Sequence, residues 1–467
     1  MKKNNAAKDV REQVYSYLLL GIGLLFYLFF AIYDGTVICA DSPSYIAMSV
    51  TREAFYPSLL AFSRSIFGNG DTYLFAIIVL QSVIAAFSAW SLEEFLRKEV
   101  PMPKWISLLL MLLPLMVSFL CRFAALRSSM YSNSIMTEGI AISLYLVVIR
   151  EVLEYLYYQT KKSLLISSVL CTLLISTRKQ MLVTLALLAL AIIVVAWCKK
   201  NLLKGMVKAV IISILVMVAV MLYDRGYNYV VRGEVAGHSS DNRFVMTMIF
   251  YTADEKDVDY IEDTQMKELF LDIYKVCNDS GFLGNSAGSG WYQNVTHFGD
   301  HYDHIQIDTM WPMIHEYVEK QKGLEPNDKQ SMELEMETDR IMNVLISDLL
   351  PHKVIRITKV LWNNFLSGLV TTVAQRKPIL VWYSIFAYFG YSGLLIYNIK
   401  ENGMNKVNKF ALLTVISIVL NVGLVSAVIF CQTRYTIYNM PLFYMSGLLL
   451  LYEVYQTKFG NQSIRSE

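Results

Sequence analysis

The sequence predicts an all-α polytopic membrane protein of about ten transmembrane helices. Three observations lead there. Hydrophobic residues make up 55% of the 467-residue chain and its mean hydropathy is +0.41, more apolar surface than a soluble interior can hide. That surface is gathered into long continuous runs, of the length a helix needs to cross a bilayer and without the alternation of a barrel strand. Only helices and closed barrels satisfy their backbone polar groups inside lipid. Finally, the basic residues between the runs fall in alternate connections, as the positive-inside rule requires.

The first run, 14–33, follows Lys2, Lys3, Lys8 and Arg11. It is long enough to span and no small-residue cleavage site follows it. It therefore reads as a retained signal-anchor helix with a cytoplasmic N-terminus. Further runs lie at 72–91, 105–120, 137–158, 163–177, 180–197, 206–223, 378–398, 410–430 and 436–454. Cytoplasmic connections carry Arg97, Lys98 and Lys104; Lys161 and Lys162; Lys199, Lys200, Lys204 and Lys208; and Lys400, Lys406 and Lys409. The pair 163–177 and 180–197 is open to reading as one kinked helix. Two spans keep the Lys199–Lys208 cluster inside. The C-terminus then also lies in the cytoplasm.

Strict alternation puts 34–71, 121–136, 178–179, 224–377 and 431–435 outside. An N-terminal transmembrane catalytic module at 1–223 would precede an extracytoplasmic loop subdomain of mixed structure at 224–353. In that subdomain acidic residues outnumber basic ones, and it is expected to pack on the membrane face. At 354–377, Val354, Ile357, Leu361, Phe365 and Leu369 recur at helical spacing, which reads as an interfacial helix. The C-terminal spans occupy 378–467. The six cysteines show no CxxC spacing, which argues against a zinc ribbon or redox motif. An outer disulfide among Cys39, Cys121, Cys277 and Cys431 stays open. No internal repeat is evident, against an inverted-repeat transporter.

Asp41, just past the first run, is the first candidate for chemistry. A carboxylate there can act as general base for a hydroxyl acceptor, with partial burial raising its pKa. It also stands where it would N-cap a short helix begun by Pro43. Tyr45 lies one helical turn further on, and Tyr56-Pro57 follows. Asp34 is a rival, but Asp34-Gly35 looks like a turn. Glu138 opens the fourth run, where an ionisable group is costly and a role is the default; a helix N-terminus favouring an acid is the other reading. Arg178 and Lys179 interrupt the fifth and sixth runs on the outer side, against the positive-inside bias. Arginine there suits a lipid-linked phosphate, or ordinary headgroups. Arg434-Tyr435 precedes Pro441 at the last run. His297, His301 and His304 have spacing that would put three imidazoles on one helix face as zinc ligands, but Gly299 and Asp300 disfavour an uninterrupted helix. Trp311 and His315 are candidates to line an acceptor groove.

Asp41-Ser42-Pro43-Ser44-Tyr45 with Tyr56-Pro57 behind the first run, Glu138, Arg178 and Arg434-Tyr435 together resemble the GT-C class of integral-membrane glycosyltransferases. That class includes protein O-mannosyltransferases and lipid A aminoarabinose transferases. The resemblance covers the membrane half and covers 224–353 poorly. It implies a bacterial plasma-membrane enzyme with an extracytoplasmic site and a polyprenyl-phosphate-linked sugar donor in the outer leaflet. The acceptor would be a glycan, lipid or protein hydroxyl; nucleic acid is not among the expected partners. Asp41 would be the catalytic base, and Arg178, Lys179 and Arg434 would hold phosphate. Tyr45, Tyr56, Glu138 and Tyr435 would contact substrate, with Glu138 orienting the sugar or helping to hold a divalent cation. Many members carry an acidic pair where Asp41-Ser42 stands, so no paired-carboxylate role carries over. An O-antigen polymerase or ligase and a non-enzymatic flippase remain open at this point.

Overall fold

Helix formation follows the apolar runs closely. The computed structural model describes residues 2–124, 129–239, 241–324 and 328–460, with backbone alone at 2–9, 124, 328–330 and 459–460. In order, the helices are α1 (Lys2–Asp34), α2 (Ser42–Ile46), α3 (Phe55–Phe67), α4 (Asp71–Glu99), α5 (Lys104–Ala124), α6 (Glu138–Tyr158), α7 (Lys161–Ile175), α8 (Leu182–Cys198), α9 (Leu202–Arg232), α10 (Asn242–Tyr251), α11 (Thr264–Asp279), α12 (Trp291–Asp303), α13 (Trp311–Lys322), α14 (Asp328–Val373), α15 (Pro378–Asn402), α16 (Lys406–Val428), α17 (Thr433–Thr436) and α18 (Met440–Tyr455). There is no strand among the described residues, only one isolated parallel bridge between Val37 and Ser134.

Among the described residues, seven helices are long and apolar enough to cross a membrane: those within 10–34, 71–99, 104–123, 179–198, 202–232, 378–402 and 406–428. Each of the ten expected runs is helical. The three that fall outside the seven have visible reasons. Helix α6 carries Arg150, Glu151 and Glu154 beside Glu138, whereas α7 and α18 are only 15 and 16 residues long. α6 tolerates its charges because it lies inside the bundle, packed on α4, α7, α8 and α16. Segment 163–197 is two helices, α7 and α8, broken at 176–181 and packed against each other.

Charge and contact separate the two ends of the bundle. At one end Lys406 pairs with Glu99 at 2.5 Å and the Tyr157 hydroxyl donates to the Lys406 carbonyl at 2.7 Å. At the other, the connections after α1, α5, α7 and α16 meet. Val37 N donates to Asn133 O at 2.9 Å, and Phe55 N donates to Ser176 O at 2.9 Å.

The region expected to be of mixed structure is helical. Helices α10 to α13 and the first half of α14 enclose their own core, in which Phe250 stacks on Phe270 at 5.4 Å. The expected separate interfacial helix at 354–377 is the end of the 46-residue α14. Its Asn364 amide donates to the Ser426 and Ile429 carbonyls at 3.1 and 2.8 Å, so this stretch packs on α16 rather than standing free. All six cysteines are free, which removes the disulfide expectation.

One buried side chain fixes the second loop over the bundle. The Gln81 amide donates to the Ser132 and Ser134 carbonyls at 2.9 and 3.1 Å, and its oxygen accepts from the Tyr56 hydroxyl at 2.9 Å. Gly139 makes room for it, since a Cβ there would lie 2.5 Å from the Gln81 amide nitrogen. Gln81→Leu strands these buried partners. The expected result is a loss of about 1–3 kcal/mol of stability for each lost buried bond, read as a lower unfolding midpoint in detergent. An unchanged midpoint would deny the clamp.

Candidate functional site

The end of the bundle where the four connections meet carries a continuous ion-pair network. Asp41 occupies the N-cap position of α2, with Pro43 in the first turn, yet its side chain makes no capping bond. One carboxylate oxygen accepts from Arg52 at 2.8 Å and the other from Arg434 at 2.7 Å. The Ser42 hydroxyl fixes the loop beneath, donating to the Ile135 carbonyl at 2.8 Å and accepting from Cys39 N at 2.8 Å. Arg52 is held in turn. Its Nε donates to the Ser44 hydroxyl at 2.8 Å, and its guanidinium lies 4.5 Å above the Tyr45 ring.

Glu138 is the first residue of α6 and is fully enclosed. Its Oε1 is shared by Arg178 and Arg434, each at 2.5 Å. The helix N-terminus adds favourable partial positive charge. Arg178 comes from the extended break between α7 and α8. The Tyr435 ring lies 4.7 Å from the Arg178 guanidinium and 5.2 Å from that of Arg434, so it sits against both cations. The Gln180 amide donates to the Tyr435 carbonyl at 2.5 Å and to Asn421 at 2.9 Å, tying this break to α16.

Three guanidiniums and two carboxylates pair directly here, and the carboxylates of Glu53 and Asp303 lie within electrostatic reach of Arg52 and Arg434. The network is graded in exposure: the Asp41 side chain is 25% exposed and that of Glu138 is 0%. It opens to solvent at Asp41 and closes at Glu138. Beneath Glu138 lies a cavity of about 30 Å³, lined also by Tyr131, Ser132 and Ser143, enough for one water. Burial opposes ionisation of Asp41, but Arg434 and Arg52 outweigh it and hold the carboxyl below its ordinary value. This corrects the expectation that burial raises it.

Asp41, Tyr45, Glu138, Arg178, Arg434 and Tyr435 come together here; other expected residues do not. Tyr56 is fully buried edge-on beneath Tyr45 at 5.4 Å and hydrogen-bonded to Gln81, so it supports the loop and reaches no open surface. Lys179 turns away to pair with Asp241, while its backbone N–H donates to Glu53 at 3.1 Å. Asp34 pairs with Arg122 at 2.9 Å, apart from the site.

The histidine helix is continuous through Gly299, which lets Arg376 approach to 3.0 Å of where a Cβ would stand. His297 and His301 do share a face, with ring centroids 4.4 Å apart. Both nitrogens of His297 are engaged, by the Tyr251 hydroxyl at 3.2 Å and the Gly281 carbonyl at 3.1 Å, and His304 Nδ1 contacts Asp308 at 2.7 Å. Among the described residues no group of three or more His, Cys, Asp or Glu is placed to hold a metal. Glu138, between two guanidiniums, stands where a cation is repelled. Sequence reasoning missed Arg52. An outer-loop cation against the positive-inside bias was its signal. It also missed Asp303, which lies within electrostatic reach of Arg434 and Asp41.

A scan against protein-family models and searches of curated proteins and of solved structures found no match to this chain.

Glu138→Gln leaves Arg178 and Arg434 confined together without their shared anion. The expected cost is about 3–5 kcal/mol, read from unfolding in detergent; wild-type stability would mean that the pairs contribute nothing. Asp41 has a depressed pKa. Its contribution is therefore complete above its ordinary value of 3.8 and is lost as pH falls through the lower folded value. The midpoint difference between wild type and Asp41→Asn should stay constant between about pH 8 and pH 5 and shrink only in stronger acid. A difference that fades near neutrality would contradict the paired carboxylate.

Proposed function

We propose that the chain is a ten-pass, GT-C-like glycosyltransferase that moves a sugar from a polyprenyl-phosphate-linked donor to a hydroxyl acceptor at the outer membrane face. The observation that supports this most is the meeting of Asp41, Glu138, Arg178 and Arg434. They come from four separate connections and form one ion-pair network at one end of an apolar bundle. Lysines and arginines crowd the opposite end, which fits a cytoplasmic face there. Arginine forks suit phosphate oxygens.

The pairing gives the reaction a built-in order. Without donor, Arg434 is shared between Asp41 and Glu138. A phosphate entering from the outer leaflet takes up Arg434 and Arg178. Asp41 then loses one of the two guanidiniums that depress its pKa and becomes a stronger base, still oriented by Arg52. It accepts the acceptor's hydroxyl proton as the oxygen attacks the anomeric carbon. The carbon–oxygen bond to phosphate breaks, and its electron pair leaves with the lipid phosphate. Arg178 and Arg434 stabilise the charge that develops there. Direct displacement of this kind inverts the anomeric centre.

The experiment is transfer by purified chain in nanodiscs with a polyprenyl-phosphate sugar. Asp41→Asn is expected to keep donor binding while transfer falls by about 10²–10⁴-fold. Full activity in this variant would sink the base assignment. Absence of both donor binding and transfer in the wild type would sink the whole reading.

A further inference from the structure

Arg243 stands in the first turn of α10, in the helical unit that covers the network. Its guanidinium lies 4.9 Å from the Trp311 ring and 5.1 Å from Phe244. It is half-buried, and its Nε has no hydrogen-bond partner. Among the described residues no carboxylate forms an ion pair with it. Glu53 and Glu335 attract it from further off, while Arg52 is near enough to repel it. Trp311 Nε1 is a second buried donor without a partner. Trp311 directly follows the π-helical turn 304–310 and meets His315 edge-on at 5.1 Å; such turns recur at functional sites. His315 Nε2 lies 3.2 Å from Glu335 but makes no hydrogen bond to it.

A half-buried guanidinium with a buried donor left unpaired is unfavourable unless an acceptor completes it. The stacking on Trp311 fixes the plane of its fork. Arg52, whose charge reaches Arg243, is bonded to Asp41 at 2.8 Å, the carboxylate assigned as base. Arg434 is bonded to the other oxygen of that carboxylate.

We propose that Arg243 on its Trp311 platform is an oxyanion subsite for the acceptor, and that the acceptor therefore carries a phosphate or carboxylate. The oxyanion site stands on the contacts of Arg243 alone; its assignment to the acceptor rests on the glycosyltransferase reading.

Two measurements separate these claims. The full chain in detergent is titrated calorimetrically with inorganic phosphate. Wild type is expected to show two phosphate sites, of which Arg243→Gln removes one and Arg434→Gln the other. A single wild-type site, or an isotherm that Arg243→Gln leaves unchanged, overturns the subsite. Should Arg243→Gln not purify as one species, Arg243→Lys carries the test. It keeps the charge and loses the fork, so binding several-fold weaker is expected and unchanged binding overturns the claim. In the transfer assay, Arg243→Gln is expected to raise the acceptor KM by about 10- to 100-fold, the worth of a charged hydrogen bond, with the donor KM unchanged. A raised donor KM instead moves the anion to the donor and overturns the acceptor assignment. A wild type that binds two phosphates but transfers nothing overturns the glycosyltransferase reading and leaves the oxyanion subsite standing.

Discussion

Arg434 is shared between two carboxylates, Asp41 and Glu138, and the arrangement of this end of the molecule depends on that sharing. Glu138 is fully buried. A bare carboxylate in that position would carry a desolvation penalty of several kcal/mol. Two guanidiniums at hydrogen-bond distance offset it, and they can reach Glu138 only if the break at 176–181 and the turn before α18 are drawn to the start of α6. The charge pairs thus require the loops to converge, and the loops in turn hold the charges. Such a pairing adds little net stability compared with an apolar replacement. Under the proposed function, the pairing prepares the site for an anion that exchanges with the carboxylates.

The scaffold is arranged to keep this preparation in place. Gln81 clamps the second loop, Gly139 lets it approach, and the Ser42 hydroxyl joins the first loop to the second. Helix α6 sits inside the bundle, so its N-terminus is fixed on all sides rather than by lipid. The helical unit between α9 and α15 lies over the open side of the network. Its Tyr302 hydroxyl donates to the Val428 carbonyl at 3.1 Å, and Arg376 donates to the Val295 carbonyl at 3.1 Å. That unit brings Arg243 and Asp303 to the site, charges that the bundle does not supply.

Much of the site was legible because ionisable residues at the ends of apolar runs are costly and stand out. Asp41, Glu138, Arg178 and Arg434 were found in this way. Arg52 escaped because it lies in a polar loop away from the apolar runs, although its charge runs against the positive-inside bias. Lys179 was grouped with Arg178 by adjacency, yet in the extended break neighbouring side chains point apart. The helices of the bundle were legible from hydropathy, whereas the helical unit was not. Its apolar residues are spread thinly over short amphipathic helices, and Gly299 looked like a breaker when it serves a close approach. The end of α14 showed its helical period but not its setting. Asn364, Ser367, Thr371 and Thr372 are polar by sequence and buried by packing against the bundle.

The central claim is that the network is an anion site whose occupation releases Asp41. The most direct measurement is a structure of the chain determined with a polyprenyl phosphate bound. The account predicts phosphate oxygens within hydrogen-bond distance of Arg178 and Arg434, with the 2.7 Å contact between Arg434 and Asp41 opened and that of Arg52 kept. Phosphate bound elsewhere, with both contacts of Asp41 intact, would contradict it.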